Sequence, residues 1–512
     1  MDTKLLLDKH RDYSLNERSM RKCADCVAGQ DAVKSSPYSL EYLPKLPGHA
    51  AASDGARLYD TYQKYAQFYG AAGRTVQALT GAAFGKDPQV TLPPALVDAG
   101  LQDDVTLDGE PLDTFARKIL RDAIIQGRPL VLVDAPYLSE EESRGLSLAD
   151  MRERSRPYLS LYETDAVLDW REERRAGRKV TSYVKLYETG AVSAPESLET
   201  KYLERVRVLT LTEDGYYRHR AWEREKDVDH GGDKDEGWAL TLDTEPTVKG
   251  QKLRSIPVFP VSEQGIEWQL SPPPINDLCD IVIAHFRNSA SYQNGLLMSG
   301  CPTACVAGLL AEDSKDKSGK IVLGASSILQ FDEQGKWGFL EIGTQGLGEI
   351  RQSMERLEKQ MALMGSRMLE VEKRQVESGE AARIHRSGEN GILSNLCSSV
   401  SQAVTAALRE IAVWMGADPG LVSYQINVDF GDGKIDPQSL SQIMLAYQQG
   451  VISADTFFYN LKRGDIYPQG WSLEKEQEAI TERATDEFSL GDEKYQDILR
   501  RLEALGVTVD GD

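Results

Sequence analysis

GLGEIRQSMERLEKQMALMGSRMLE, residues 346–370, carries its apolar side chains in a single register. Leu347, Ile350, Met354, Leu357, Met361, Met364 and Met368 follow one another at intervals of 3, 4, 3, 4, 3 and 4. That spacing is a heptad seam held for about three heptads. Glu349, Arg351, Glu355, Arg356, Glu358 and Lys359 take the outer faces. Such a helix packs in a bundle or lies against a neighbouring subunit in a ring or barrel. Methionine at four seam positions suits neighbours that slide or adapt.

Working outward, Pro272-Pro-Pro274 introduces a helix over 275–298, which Cys301-Pro302 stops. Between the two helices, 304–309, 320–324, 327–331 and 337–342 read as strands of a small β unit. An antiparallel helix pair carrying a compact head results. The charged stretch 377–391 is expected as a bend, followed by a helix over 389–415 and a short strand at 425–430. Helices over 437–450, 453–463 and 473–505 follow, the last strongly acidic and broken.

Upstream, 1–34 reads as helix, Tyr42-Leu-Pro44 and Pro47-Gly48 as a break, and 54–83 as a helical region that Gly70 and Gly73 could bend. A third helix spans 108–127, with Pro111 in its first turn and Gly127 at its exit. Strands are expected at 130–133, 158–162, 180–187, 202–211, 216–222 and 256–259. Their β-branched and aromatic residues alternate with charges, as in a sheet with one wet face.

The chain has 512 residues, 59 Lys+Arg against 80 Asp+Glu, and a net charge of −21. With 41% hydrophobic and 27% charged residues it is not collagen-like, disordered or disulfide-rich. The charge argues against holding nucleic acid on a broad basic face. Six cysteines in a chain this long suggest a reducing compartment. The N-terminus has no signal-peptide core, and the apolar runs are too short to span a membrane. No membrane partner is expected.

No motif points to an active site. Cys23-Ala-Asp-Cys26 has CxxC spacing inside a helical run, so a zinc site would need distant ligands; core or surface cysteines are the simpler reading. Cys301 and Cys305 lack a local histidine. The six histidines, His10, His49, His219, His230, His285 and His385, form no HExxH pair. His230, in an acidic Gly-rich stretch, could hold only an incidental surface ion. Asp429, Asp432 and Asp436 miss the calcium-loop pattern, because Gly431 stands where an acid or Asn is needed. GxxxxGK[ST] and GxSxG are both absent. The expectation is a non-enzyme without catalytic, cofactor-binding or metal residues.

Ala28-Gly-Gln30 and Tyr42-Leu-Pro44 begin a series of short motifs. Arg74-Thr-Val76 through Gly81 and Pro88 follow, then Phe115 through Gly127-Arg128, Leu132-Val-Asp134 and Pro136. Arg156-Pro-Tyr158, Asp169-Trp170 and Ile256-Pro257 continue it, then Pro274-Ile-Asn-Asp-Leu278 and His285-Phe-Arg287 with Ser289-Ala290, Tyr292 and Gly308. Glu380-Ala-Ala-Arg-Ile384, Gly388-Glu389-Asn390 and Leu393-Ser394 close it. In this order and spacing the chain resembles tailed-phage portal proteins of the DUF4055 group. Cys301 and Cys305 around Pro302 depart from that pattern.

The resemblance implies a mixed α+β portal fold and a homo-oligomeric ring, usually of twelve subunits, at the portal vertex of a virion capsid. The ring is assembled in the host cytoplasm. Double-stranded DNA passes through it in packaging and ejection. The packaging ATPase (the terminase large subunit) docks on it, as do major capsid or scaffold protein and later the head-completion and tail adaptors. The regions fall at 1–270 for the wing, 271–300 and 346–370 for the antiparallel stem helices, and 301–345 for the α/β clip. A tunnel-facing bend follows at 371–388, a core helix and return strand at 389–436, and a helical crown with an acidic tail at 437–512. Lys373, Arg374, Arg383 and Arg386 around the bend are candidates to approach DNA phosphates, or else solvated surface and inter-subunit ion pairs. The heptad residues are candidates for the subunit interface. The competing reading is another structural ring or connector scaffold without portal activity.

Overall fold

The computed structural model describes residues 5–47, 49, 55–136, 156–193, 200–225, 237–300, 303–307, 336–340, 345–366, 379–428, 430, 437–449, 451–453, 456–457 and 461. The described chain mixes helix and sheet. It falls into two compact units, 1–429 and 430–512.

The first unit opens with α1 (Arg11–Ala28), α2 (Gln30–Ser35), α3 (Ser39–Tyr42), α4 (Gly55–Tyr65) and α5 (Ala71–Ala83). The helical region expected over 54–83 breaks at 66–70, and Gly73 sits inside α5 rather than at a bend. A β-carbon there would lie 3.0 Å from the Val27 carbonyl oxygen, so the glycine serves close approach of α5 to α1. Next come β1 (Gln89–Thr91), α6 (Pro94–Asp98) and α7 (Leu112–Ile125). Pro111 caps α7, and Gly127 leaves it at φ +106°, a backbone conformation that favours glycine.

β2 (Leu130–Asp134) is the centre of an antiparallel three-stranded sheet and is buried throughout. β3 (Tyr158–Tyr162) pairs with one side of it. The other side is taken by β11 (Val258–Pro260), more than a hundred residues on in sequence. Between them runs an antiparallel meander of β4 (Val167–Arg175), β5 (Arg178–Ser193), β6 (Thr200–Leu211), β7 (Tyr217–Glu225) and β8 (Ala239–Thr244). A small hairpin, β9 (Thr247–Val248) and β10 (Gln251–Lys252), follows.

Period-two alternation sorts the meander into two faces. Val184, Leu186 and Leu209 pack into the main core with Trp170 and Trp268. Val206, Val208 and Trp222 face the other way. The wet face expected from the sequence is partly dry, because Leu6 from the N-terminal segment is buried against these residues. The Lys185 ammonium holds that segment by donating to the Leu5 carbonyl at 2.9 Å.

α8 (Asn276–Gly300) leads to β12 (Thr303–Ala307), which pairs antiparallel with β13 (Lys336–Leu340), and α9 (Gln345–Ser366) returns. The strands expected at 320–324 and 327–331 lie outside the described residues. α10 (Gly379–Met415) begins ten residues before the expected 389: residues 379–388, assigned to a bend, are helical. Its buried Leu393, Leu396, Val400, Val404, Leu408 and Ile411 keep a helical period. That face packs on β2, β11 and α7. β14 (Ser423–Gln425) then pairs with β1.

In the second unit the described residues include α11 (Pro437–Gln448) and a stacked pair, Tyr447 and Phe457, with ring centroids 4.5 Å apart. The helix expected over 473–505 lies outside the described residues.

Candidate functional site

The heptad helix α9 lies antiparallel against α8 of its own chain. His285 Nε2 is 3.1 Å from Glu358 Oε1, and Asn288 Nδ2 donates to Ser353 Oγ at 3.1 Å. Further along, Gly295 faces Leu347, so the partner number on α9 falls as the number on α8 rises. A β-carbon at Gly295 would stand 2.4 Å from Leu347 Cδ2, which shows how closely the helices approach.

Among the seam residues, Met361 is only 2% exposed. Leu347, Ile350, Met354 and Leu357 are half-buried, and Met364 is exposed. Met368 lies outside the described residues. The spacing of the seam fits either a bundle or a neighbouring subunit, and the seam residues are candidates for the subunit interface. Within the chain, Leu347 lies against Gly295 and Met361 is buried. Heptad spacing requires a partner helix but does not say whose. The large apolar residues of α9 that remain more than a third exposed are Leu363 and Met364.

The two halves of α8 differ. Leu278, Cys279, Val282, Ile283, His285, Phe286, Ser289 and Ala290 are buried, whereas nothing from Ser291 to Gly300 is. The buried half is anchored by the N-terminal helices. Arg287 donates from Nε to the Tyr42 carbonyl at 2.9 Å and from Nη2 to the Glu41 carbonyl at 2.7 Å. Ser289 Oγ accepts from the Gln67 amide at 3.0 Å, and Lys22 pairs with Asp280. Two motifs far apart in sequence, Tyr42-Leu-Pro44 and His285-Phe-Arg287, therefore meet at the root of α8.

Cys23 and Cys26 also meet α8. Both are fully buried and free, as is Cys279. The Cys279 hydrogen bond, then burial, pushes the Cys23 thiol well above its usual range, so it stays protonated and unreactive. CxxC spacing gave no sign of this third thiol. Among the described residues, no group of His, Cys, Asp or Glu is placed to hold a metal ion. Cys397 is likewise buried and free, while Cys301 lies outside the described residues.

A second polar cluster lies behind the meander. Arg207 follows the core alternation of β6, so its guanidinium points inward and must be neutralised there. Arg207 Nη1 is 2.6 Å from Asp134 Oδ2, and its Nε is 2.9 Å from Glu188 Oε1. Tyr162 also hydrogen-bonds Glu188. Two buried groups nearby titrate away from their usual ranges. Burial, against the hydrogen bonds from Thr164, raises Asp122 to about 7. Burial and the field of Arg207 lower His219 to about 4.

Of the four channel candidates, Lys373 and Arg374 lie outside the described residues. Arg383 and Arg386 lie in the first turns of α10, and only their backbone is described. Among the described residues no helix is long and apolar enough to cross a membrane.

Residues 274–415 match the family DUF4055, described as a domain of unknown function. The match runs from the start of α8 to the end of α10 and so frames the helix pair and its β unit. Among curated proteins no relative matches this chain. Two solved chains are similar at 10% identity and a TM-score of 0.34. One belongs to the neck of an empty GTA particle computed with C6 symmetry; the similarity covers 79% of this chain and 92% of that one. The other belongs to the virion of a native gene transfer agent particle, with 78% and 90% covered. At that score neither likeness carries an argument about fold or role.

Proposed function

We propose that this chain is the non-enzymatic subunit of a phage portal ring. One observation carries the reading: an antiparallel helix pair, α8 and α9, closed at its far end by the antiparallel strands β12 and β13. That is the stem–clip–stem order expected from the sequence resemblance, and it falls inside the segment matched by DUF4055.

In this reading the half of α8 without buried residues, 291–300, and the outer face of α9 form the stem, with neighbouring copies packed around the axis. A cyclic, heterologous contact closes only at one rotation per subunit. DNA has one charge per roughly 1.7 Å and must slide. An acidic chain of net charge −21 keeps the duplex centred rather than gripped, with Arg383 and Arg386 as sparse contacts. The packaging ATPase and later the adaptors would dock at the β12–β13 end, in a virion whose capsid surrounds the wing.

Electron microscopy of the purified chain, viewed down the symmetry axis, tests this. Closed rings with a central channel are expected. A protein that stays monomeric at high concentration, or forms only open filaments, overturns the reading. Changing Arg383 and Arg386 together to Gln should alter packaged DNA length or its retention in particles.

A further inference from the structure

The C-terminal end of α10 is closed by Gly416, at φ +82°. The Gly416 amide donates to the Val413 carbonyl at 3.2 Å and the Ala417 amide to the Ala412 carbonyl at 2.8 Å, the paired bonds of a glycine helix stop. The carbonyls of Trp414 and Met415 lie beyond the helical pattern of bonds. They form the negative pole of the helix, which favours a cation, yet the last turn holds no basic residue. The cation at this end comes from elsewhere in the chain. A β-carbon on Gly416 would lie 2.6 Å from Lys249 Nζ and 3.3 Å from its Cε, so the ammonium sits at the exit of the helix.

Lys249 is at the tip of the β9–β10 hairpin. It has φ +52°, and Gly250 follows at φ +77°. Two such residues between directly paired strands are the pattern of a type I′ turn, whose first position favours Asn, Asp or Gly. Lysine there strains the backbone, and the turn itself makes no use of its charge. The helix end does. The hairpin is in turn fixed to the meander: the Tyr217 amide donates to the Leu253 carbonyl at 2.8 Å, and Lys252 and Arg254 lie 5.3 Å and 5.6 Å from the Tyr216 ring centroid. Beyond the hairpin the chain enters β11, which packs on α10.

We propose that Lys249 is a charge latch: its ammonium holds the C-terminal end of α10 and so couples the meander to that helix through the hairpin. The lysine is exposed, so the attraction is screened by salt and the latch loosens as ionic strength rises. Loosening at one end is felt at the other, because a coupling between two elements acts in both directions. The latch does not depend on the portal reading.

Hydrogen exchange of the full folded chain tests this. Lys249→Met keeps the length of the side chain and the strain of the turn but removes the charge. At low salt it should speed exchange of the Gly416 and Ala417 amides about two- to fivefold. Lys249→Arg should keep the native rates, and at molar sodium chloride the native chain and Lys249→Met should exchange alike. Gly416→Ala, which puts a methyl group where the ammonium lies, should speed exchange across 247–252. Native rates at 416 and 417 in Lys249→Met overturn the proposal, as does an equal acceleration in Lys249→Arg. A hairpin that does not respond to Gly416→Ala overturns the coupling. Should Gly416→Ala fail to fold, the two Lys249 variants, which alter one exposed side chain, still decide.

Discussion

Leu347 Cδ2 occupies the space in which a β-carbon on Gly295 would stand, 2.4 Å from that position. The contact sets the spacing of α8 and α9 where neither helix is buried by the rest of the chain. Gly295→Ala gains about 1 kcal/mol of helix propensity and displaces only the end of a flexible side chain, so it should be near neutral. Gly295→Leu should cost about 1–3 kcal/mol through overpacking. Leu347→Ala in the same chain should recover part of that loss. Urea unfolding of the single and double variants measures both.

Asp122 and His219 pull stability in opposite directions over one pH range. Asp122 is raised in the folded chain to about 7, so its contribution is fully present below the unfolded carboxylate value and is lost as pH rises through 7. His219 is lowered to about 4, so its contribution is present above the unfolded imidazole value and is lost as pH falls towards 4. The native chain should show a shallow dependence between those limits. Asp122→Asn should steepen the loss of melting temperature on acidification. His219→Gln should leave a melting temperature that falls as pH rises.

Asp134 and Glu188 share the charge of Arg207. Removing one partner of a buried pair leaves an uncompensated charge, commonly at a cost of about 3–5 kcal/mol. Asp134→Ala should fall near the lower end, because Glu188 remains. The double change Asp134→Ala with Glu188→Gln, which leaves Arg207 with neither carboxylate, should lose more than Asp134→Ala alone. Thermal unfolding at neutral pH gives the comparison.

Leu363 is 51% exposed and Met364 39%, while Met361 is buried on the same helix. Under the portal proposal, Leu363→Asp with Met364→Asp should prevent ring closure and leave the melting temperature of the subunit nearly unchanged. Met361→Asp should instead lower that melting temperature, because it buries a charge inside the chain. Light scattering and thermal melts separate the two effects. Rings that persist in the double variant would place the subunit contact elsewhere.

Much of the architecture was legible in the sequence because it is local. Strand β2, a run of four apolar residues before Asp134, and the heptad helix α9 both follow from side-chain period. The edge strands β4 and β8 did not emerge. Trp170-Arg-Glu-Glu-Arg-Arg175 carries the dense charge that keeps an exposed strand edge from pairing with other chains, and that charge hides a strand pattern. The extent of α10 was misjudged too, since glycines at 379, 388 and 391 read as a break. Glycine lowers helix propensity, yet the helix runs through 388 and 391.

The sequence by itself determined the helix pair with a β unit between its ends, and the mixed helical and sheet character of the rest. Tertiary structure alone decided which residues meet. It brought Cys279 to Cys23 and Cys26, carried Arg287 to the carbonyls of Glu41 and Tyr42, and enclosed Arg128 between Trp170 and Trp268. It also placed Leu347 against Gly295 and buried Met361 of the heptad seam within the chain. Periodicity specifies that a face must be buried. Which partner covers it depends on shape and hydrogen-bond complementarity between segments far apart in the chain, and no local pattern encodes that.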